Sequence, residues 1–153
     1  MFSIGVLIFG VMAVYLTRYA SIHSDVLQGA GSAAAVARGK MDYEQYCASC
    51  HGNQLQGQPD WKSPLPNGRL PAPPHDATGH TWHHADDVLI GIIQNGLKPY
   101  AGDDYESDMP AFSGVLSIDE SRDILIYLKS IWPQREREFQ NEVTQRQKGR
   151  FGS

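Results

Sequence analysis

Apolar residues are arranged along this chain in three ways. Phe2 to Leu16 is a largely apolar run of 15 residues without a charge, and extending it to Ile22 admits only Arg18 as a charge. A membrane-spanning helix takes about 20 residues and the apolar core of a secretory signal about 7–15. The flanks therefore decide. Small-residue cleavage patterns occur only around Ala33 to Ala37, too far from the run for ordinary processing. The reading favoured is a retained anchor, with a removed signal as the alternative. A buried soluble helix fits least, because the run is apolar on every face. No Lys or Arg precedes the run, so the positive-inside rule gives little orientation. Ser21 to Ala37 is rich in Ser, Gly and Ala and reads as a tether of roughly 20–25 Å. Its Ala-rich end inclines toward helix.

Helical periodicity replaces the apolar run further on. It predicts a first short helix over Gly39 to Cys47, carrying Met41, Tyr43 and Tyr46. A second starts near Ala85, where Asp86 and Asp87 suit the positive end of a helix dipole. Its face is Val88, Leu89, Ile92 and Ile93, and Gly96 follows Asn95 as a C-terminal stop. A third opens on Ser117-Ile-Asp-Glu120, a capping box, and runs through Ile124, Leu125, Leu128 and Ile131 to stop before Pro133.

Elsewhere the periodicity is absent. Between Gly52 and His84 stand Pro59, Pro64, Pro66, Pro71, Pro73 and Pro74, a density that no strand survives. A loop this long counts against a compact domain unless a buried group gives it something to pack on. Gln134 to Ser153 is charged and polar, with Phe139 and Val143 its only weak apolar pair, and reads as a solvated helical extension fraying at its end. The organisation expected is an anchor over 1–20, a linker over 21–37, a folded domain over 38–132 and a charged extension over 133–153.

Charge narrows the partners. The formal net charge is −4, and the segment from Lys40 to Trp132 holds six Lys or Arg against 13 Asp or Glu. An acidic body excludes a nucleic-acid interface, which needs clustered basic residues, and favours basic partners.

The chain has two cysteines, three positions apart. A disulfide framework would spread them, so the pair reads as one chemical device. Cys47-Ala48-Ser49-Cys50-His51 is C-x-x-C-H, the haem attachment signature. Two thiols one helical turn apart can each form a thioether with one vinyl group of a haem, and the adjacent His51 then lies beneath the iron. A redox dithiol would sit in a βαβ setting, which this sequence lacks. A zinc site would need two further ligands; His75, His80, His83 and His84 could supply them, but at no familiar spacing. The second iron ligand follows by elimination. Met in that position suits an electron carrier. Met1 and Met12 lie in the anchor, and Met41 is on the same short helix as the attachment cysteines. Met109 remains, within Asp108-Met-Pro-Ala-Phe112.

Gly39-x-x-x-Tyr43-x-x-x-Cys47-x-x-Cys50-His51-Gly52, Met109-Pro-Ala-Phe112 and an aromatic-bearing terminal helix together resemble the class I cytochrome c family, over roughly residues 38–132. The resemblance implies a small all-α domain wrapped around one covalent haem c. Its first and last helices would cross closely, with Gly39 providing clearance and Tyr43 packing near Ile124, Tyr127 or Leu128. It also implies that a backbone carbonyl of a proline-containing loop holds His51, with Pro71 and Pro73 as the two positions in Leu70-Pro-Ala-Pro-Pro74. This loop lacks the family's glycine-proline-leucine pattern, and both prolines stay open.

The function expected is electron transfer by one haem iron ligated by His51 and Met109, not catalysis on a small-molecule substrate. The domain would face the periplasm from a bacterial inner membrane and meet redox proteins that present a basic face. A fixed haem subunit of a larger membrane complex, and a haem enzyme or gas sensor with a labile Met109, are the rival readings. His75, His80, His83 and His84 read as a surface loop, with a second metal site the alternative. Asp103, Asp104, Glu106 and Asp108 read either as a solvated run or as a docking rim beside Met109.

Overall fold

The structure, a computed structural model, describes residues 32–151. The run Phe2–Leu16 and the first part of the expected tether lie outside the described residues. Among the described residues there is no strand, and no helix is long and apolar enough to cross a membrane. The elements are α1 (residues 32–46), α2 (Ala48–His51), a 3-10 turn (Thr81–His83), α3 (Asp86–Asn95), α4 (Lys98–Ala101), α5 (Ile118–Ile131) and α6 (Gln134–Phe151).

α1 is already helical at residue 32, ahead of the expected start at Gly39. Ala33, Ala34 and Ala35 have the highest helix propensity of any residue type, and they draw the end of the expected linker into the helix. Gly39 and Tyr43, one turn apart, form its contact with α5. A Cβ at Gly39 would stand 1.9 Å from the carbonyl oxygen of Asp123, so only glycine allows the two backbones to approach this closely. Beside it Arg38 Nε donates to Asp123 Oδ2 at 2.6 Å. Tyr43 is wholly buried, its ring centroid 5.5 Å from that of Tyr127. Ile124, Leu125, Leu128, Leu89, Leu116 and Trp132 complete the core around it.

α5 begins with both halves of the capping box made. Ser117 Oγ accepts from the Glu120 N–H at 3.2 Å, and the Ser117 N–H donates to Glu120 Oε2 at 2.7 Å. α3 packs on α5 and ends at Gly96, whose φ of +74° suits a residue without a Cβ. Gln94 Nε2 ties the two helices by donating to the Leu116 carbonyl at 3.0 Å and to Ser121 Oγ at 2.7 Å.

The segment after Trp132 departs from the expected solvated extension. α6 runs unbroken to Phe151 and buries one side. Glu136, Gln140 and Thr144 recur every fourth residue, and all three are buried. Gln140 Nε2 donates to Asp86 Oδ1 at 2.5 Å and lies 3.2 Å from the His84 carbonyl oxygen. Thr144 Oγ1 donates to Asp86 Oδ1 and accepts from the Asp86 N–H, each at 3.2 Å. Lys129 Nζ completes the cluster, 2.5 Å from the same carboxylate oxygen. A polar stripe at helical spacing is invisible to a search for apolar periodicity.

Candidate functional site

The end of α1 delivers the cysteines. Cys47 lies between α1 and α2, and its carbonyl accepts the N–H groups of Cys50 (3.2 Å) and His51 (2.9 Å), so Cys47, Cys50 and His51 occupy one turn. Both thiols are unbridged; Cys47 is partly buried and Cys50 exposed. Burial, and after it the neighbouring charges of Asp42 and Cys50, pushes the Cys47 thiol up to about 11. A redox dithiol needs the opposite shift, toward a thiolate near neutral pH. Cys47 is a neutral thiol at pH 7.

His51 is buried, and its Nδ1 lies 2.8 Å from the carbonyl oxygen of Pro73. A carbonyl only accepts, so Nδ1 carries the proton and Nε2 is left as a free lone pair. Burial lowers the His51 pKa despite this bond, and the ring is neutral at pH 7. Of the two prolines open from sequence, Pro73 lies against His51, whereas Pro71 is buried nearby in the chain without a hydrogen bond to it. The long loop is fastened on both sides of this contact. The Gly57 N–H donates to the His51 carbonyl at 2.8 Å, and the Gln58 N–H to the Ala72 carbonyl at 2.9 Å. Tyr43 Oη donates to the Gly52 carbonyl at 2.9 Å, joining the α1–α5 crossing to the end of α2.

Met109 lies partly buried on the segment that leaves α3 and α4. Its N–H donates to Ser107 Oγ at 3.1 Å. Three residues later the Phe112 N–H bonds the Ile93 carbonyl at 3.0 Å, and the Phe112 ring meets Tyr46 edge-on, centroids 6.3 Å apart. Tyr46 immediately precedes Cys47. The Met-Pro-Ala-Phe segment is thus anchored to the end of α1, directly before the attachment motif.

Three site features escaped the sequence reading. His75, expected in a surface loop, is stacked on His51, with centroids 3.9 Å apart and planes 24° apart. The signal available was its place two residues after Pro73. Removal from water, and then His51 and His80, drives its pKa well below the ordinary imidazole value. Thr81 is buried, and its Oγ1 pairs with His75 Nδ1 at 2.8 Å. Arg69 reaches over to the acidic run, pairing with Asp108 and, at 3.1 Å, with Glu106 Oε2; Lys98 Nζ adds a 3.4 Å contact to Glu106. Among the described residues Asp103 and Asp104 make no ion pair. The remaining histidines are spread over small contacts: His80 stacks on Trp61 at 5.4 Å, and His83 meets Trp82 at 3.9 Å. Among the described residues no three His, Cys, Asp or Glu side chains converge to hold a metal ion.

Comparison with known proteins decides the family. The sequence family described as cytochrome c oxidase, cbb3-type, subunit III matches residues 34–128, well over half of the chain. The chain belongs to this cytochrome c family. No curated protein and no solved structure shows a significant match to it. A cytochrome c domain implies a covalent c-type haem and haem-based electron transfer. The residues present fit that group. They are two unbridged thiols one turn apart, at least one of them neutral, and a neutral imidazole whose bonded Nδ1 leaves Nε2 available to a metal. The cytochrome's α6 lies beyond the matched residues.

Proposed function

We propose that this cytochrome is a single-haem electron carrier held at a membrane, with Cys47 and Cys50 as the covalent attachment points and His51 and Met109 as the two axial ligands. The haem, when bound, supplies a one-electron Fe(III)/Fe(II) couple. The observation that carries the reading is a pair of tethers on either side of the attachment motif: the His51 ring on α2 is aimed by the Pro73 carbonyl, and the Met109 segment is pinned through Phe112 to Tyr46 at the end of α1, one residue from Cys47. Pro73, not Pro71, is the residue that orients His51 in this reading, and it fixes which nitrogen faces the metal. Met109 brings a thioether, a ligand that raises the potential.

The uncharged run Phe2–Leu16 supports an anchor, and the acidic balance of the domain supports a basic redox partner. The reading places the domain on the periplasmic side of a bacterial inner membrane, with the N-terminal run as the support for a membrane anchor. Asp103 and Asp104 are the better placed acids for docking, since Arg69 and Lys98 already engage Glu106 and Asp108. One second reading has a specific observation behind it. The matched family is described as an oxidase subunit, which favours a fixed place in a larger membrane complex over a freely diffusing carrier. Isolation in mild detergent separates the two: a stable assembly supports the subunit, a lone chain the carrier.

Met109→Ala tests the ligation. The expected variant keeps its covalent pigment, loses the thioether-to-iron absorption band, has a lower reduction potential and binds carbon monoxide promptly when reduced. Unchanged potential and unchanged ligand-field spectra reject Met109 as a ligand.

A further inference from the structure

His75 is an expensive residue for its position. Its imidazole is partly buried, and the hydration it gives up is hydration that an apolar side chain of similar size would never have had. It is also held from four directions. Its N–H donates to the Leu55 carbonyl at 2.8 Å, its carbonyl accepts from Trp132 Nε1 at 2.7 Å, its Nδ1 pairs with Thr81 Oγ1 at 2.8 Å, and its ring meets Tyr43 edge-on at 6.2 Å. Two of those partners, Tyr43 and Trp132, are among the most deeply buried side chains in the domain. Leu55 presents its carbonyl from a φ of +61°, a strained conformation for a leucine. Core filling needs none of this.

The ring so fixed lies flat on His51. The Pro73 carbonyl restrains His51 along one edge of its imidazole, a single hydrogen bond that still permits rocking about the Cβ–Cγ bond. A second ring against its face blocks that rocking. We propose that His75, locked by Thr81, is a positioning residue for His51 that sets the rotational angle of the axial imidazole. The inference rests on the reading of His51 as the iron's ligand. It goes beyond that reading by assigning a second imidazole, which does not bind the metal, to the control of the first.

The test uses the oxidised, haem-loaded protein. The pattern of hyperfine-shifted haem methyl resonances reports the plane of the axial imidazole, and a merely structural residue would leave it alone. His75→Leu is expected to redistribute that pattern and broaden it as the His51 ring gains freedom. His75→Phe, which keeps a flat face against His51, is expected to restore most of the wild-type pattern. A matured H75L protein with the wild-type pattern overturns the proposal, as does an H75F protein disturbed as much as H75L. If H75L yields no holoprotein, Thr81→Val decides: a shifted pattern supports the proposal and an unchanged one overturns it. The wild-type spectrum is read first. Absence of a nitrogen ligand there would instead defeat the assignment of His51.

Discussion

The cytochrome brings distant parts of its chain together at two junctions built from opposite materials. At the α1–α5 crossing the essential feature is a missing side chain, Gly39, over which two backbones approach, with the aromatic rings of Tyr43 and Tyr127 filling the next layer. At the junction of α6 with the start of α3 the essential feature is a carboxylate, Asp86, gathering Lys129, Gln140 and Thr144. The crossing tolerates no added volume, because backbone cannot rotate out of the way. The clasp depends on charge, and so on pH. The crossing lies inside the segment matched by the cytochrome c family and positions Tyr43 beneath the end of α2; the clasp secures a helix outside that segment.

The sharpest way to break the comparison is Gly39→Ala. In an open helix this change stabilises by about 1 kcal/mol, because Ala is the better helix former. Here the added methyl would stand 1.9 Å from the Asp123 carbonyl oxygen, and the expected result is a loss on the order of 3 kcal/mol, read by denaturant unfolding of the holoprotein. The two expectations differ in sign. A gain in stability would show that the helices do not cross on Gly39.

Asp86→Asn addresses the clasp. Burial pushes the Asp86 carboxyl up, but the bonds from Lys129, Gln140 and Thr144 outweigh it and hold the group below its ordinary value. A depressed folded-state pKa means stability that is present above the unfolded value, about 3.9, and is lost as pH falls through the lower folded value. The expected cost of D86N is about 1–2 kcal/mol at pH 7, since a hydrogen-bonded charge is exchanged for a neutral amide in a partly buried site. The difference between wild type and variant should stay constant from pH 7 to 5 and shrink below about pH 4. A difference that persists undiminished at pH 2–3 would show that the carboxylate charge is not what fastens α6.

The same contrast explains what the sequence made legible. Ser117 with Glu120 and Gly96 after Asn95 are local patterns, each with one physical meaning, whereas the crossing at Gly39 and Tyr43 and the all-α domain around a haem were implied by the resemblance to class I cytochromes c. Asp86 was legible only as a partner for its own helix dipole, because Gln140 and Thr144 lie more than fifty positions away and the stripe that carries them is polar. His75 was lost for a related reason. Four histidines in ten residues look like a solvated loop, and only the place of His75 two residues after Pro73 distinguishes the one that stacks on His51, a signal that speaks once Pro73 is known to hold His51. The acidic run before Met109 was visible, but its internal cation, Arg69, sits on a different loop. Patterns within an element announce themselves; polar pairings between elements do not.

Arg69 supplies the smallest and most discriminating test of that difference, because it repeats the chemistry of the clasp on the open surface. It engages Asp108 and Glu106 much as Lys129 engages Asp86, yet the carboxylates it meets are more than half exposed. Water and salt screen such pairs, so Arg69→Gln should leave the melting temperature within experimental error. What changes is the outward field. Removing one cation from beside Glu106 and Asp108 makes the rim next to Met109 more negative, so a basic redox partner should associate faster with R69Q than with wild type at low ionic strength. The advantage should vanish as salt is raised past physiological concentration. A large drop in thermal stability would mean that the exposed ion pairs, like the partly buried clasp, hold the fold. An unchanged association rate across the salt series would mean that the partner docks somewhere other than this acidic rim.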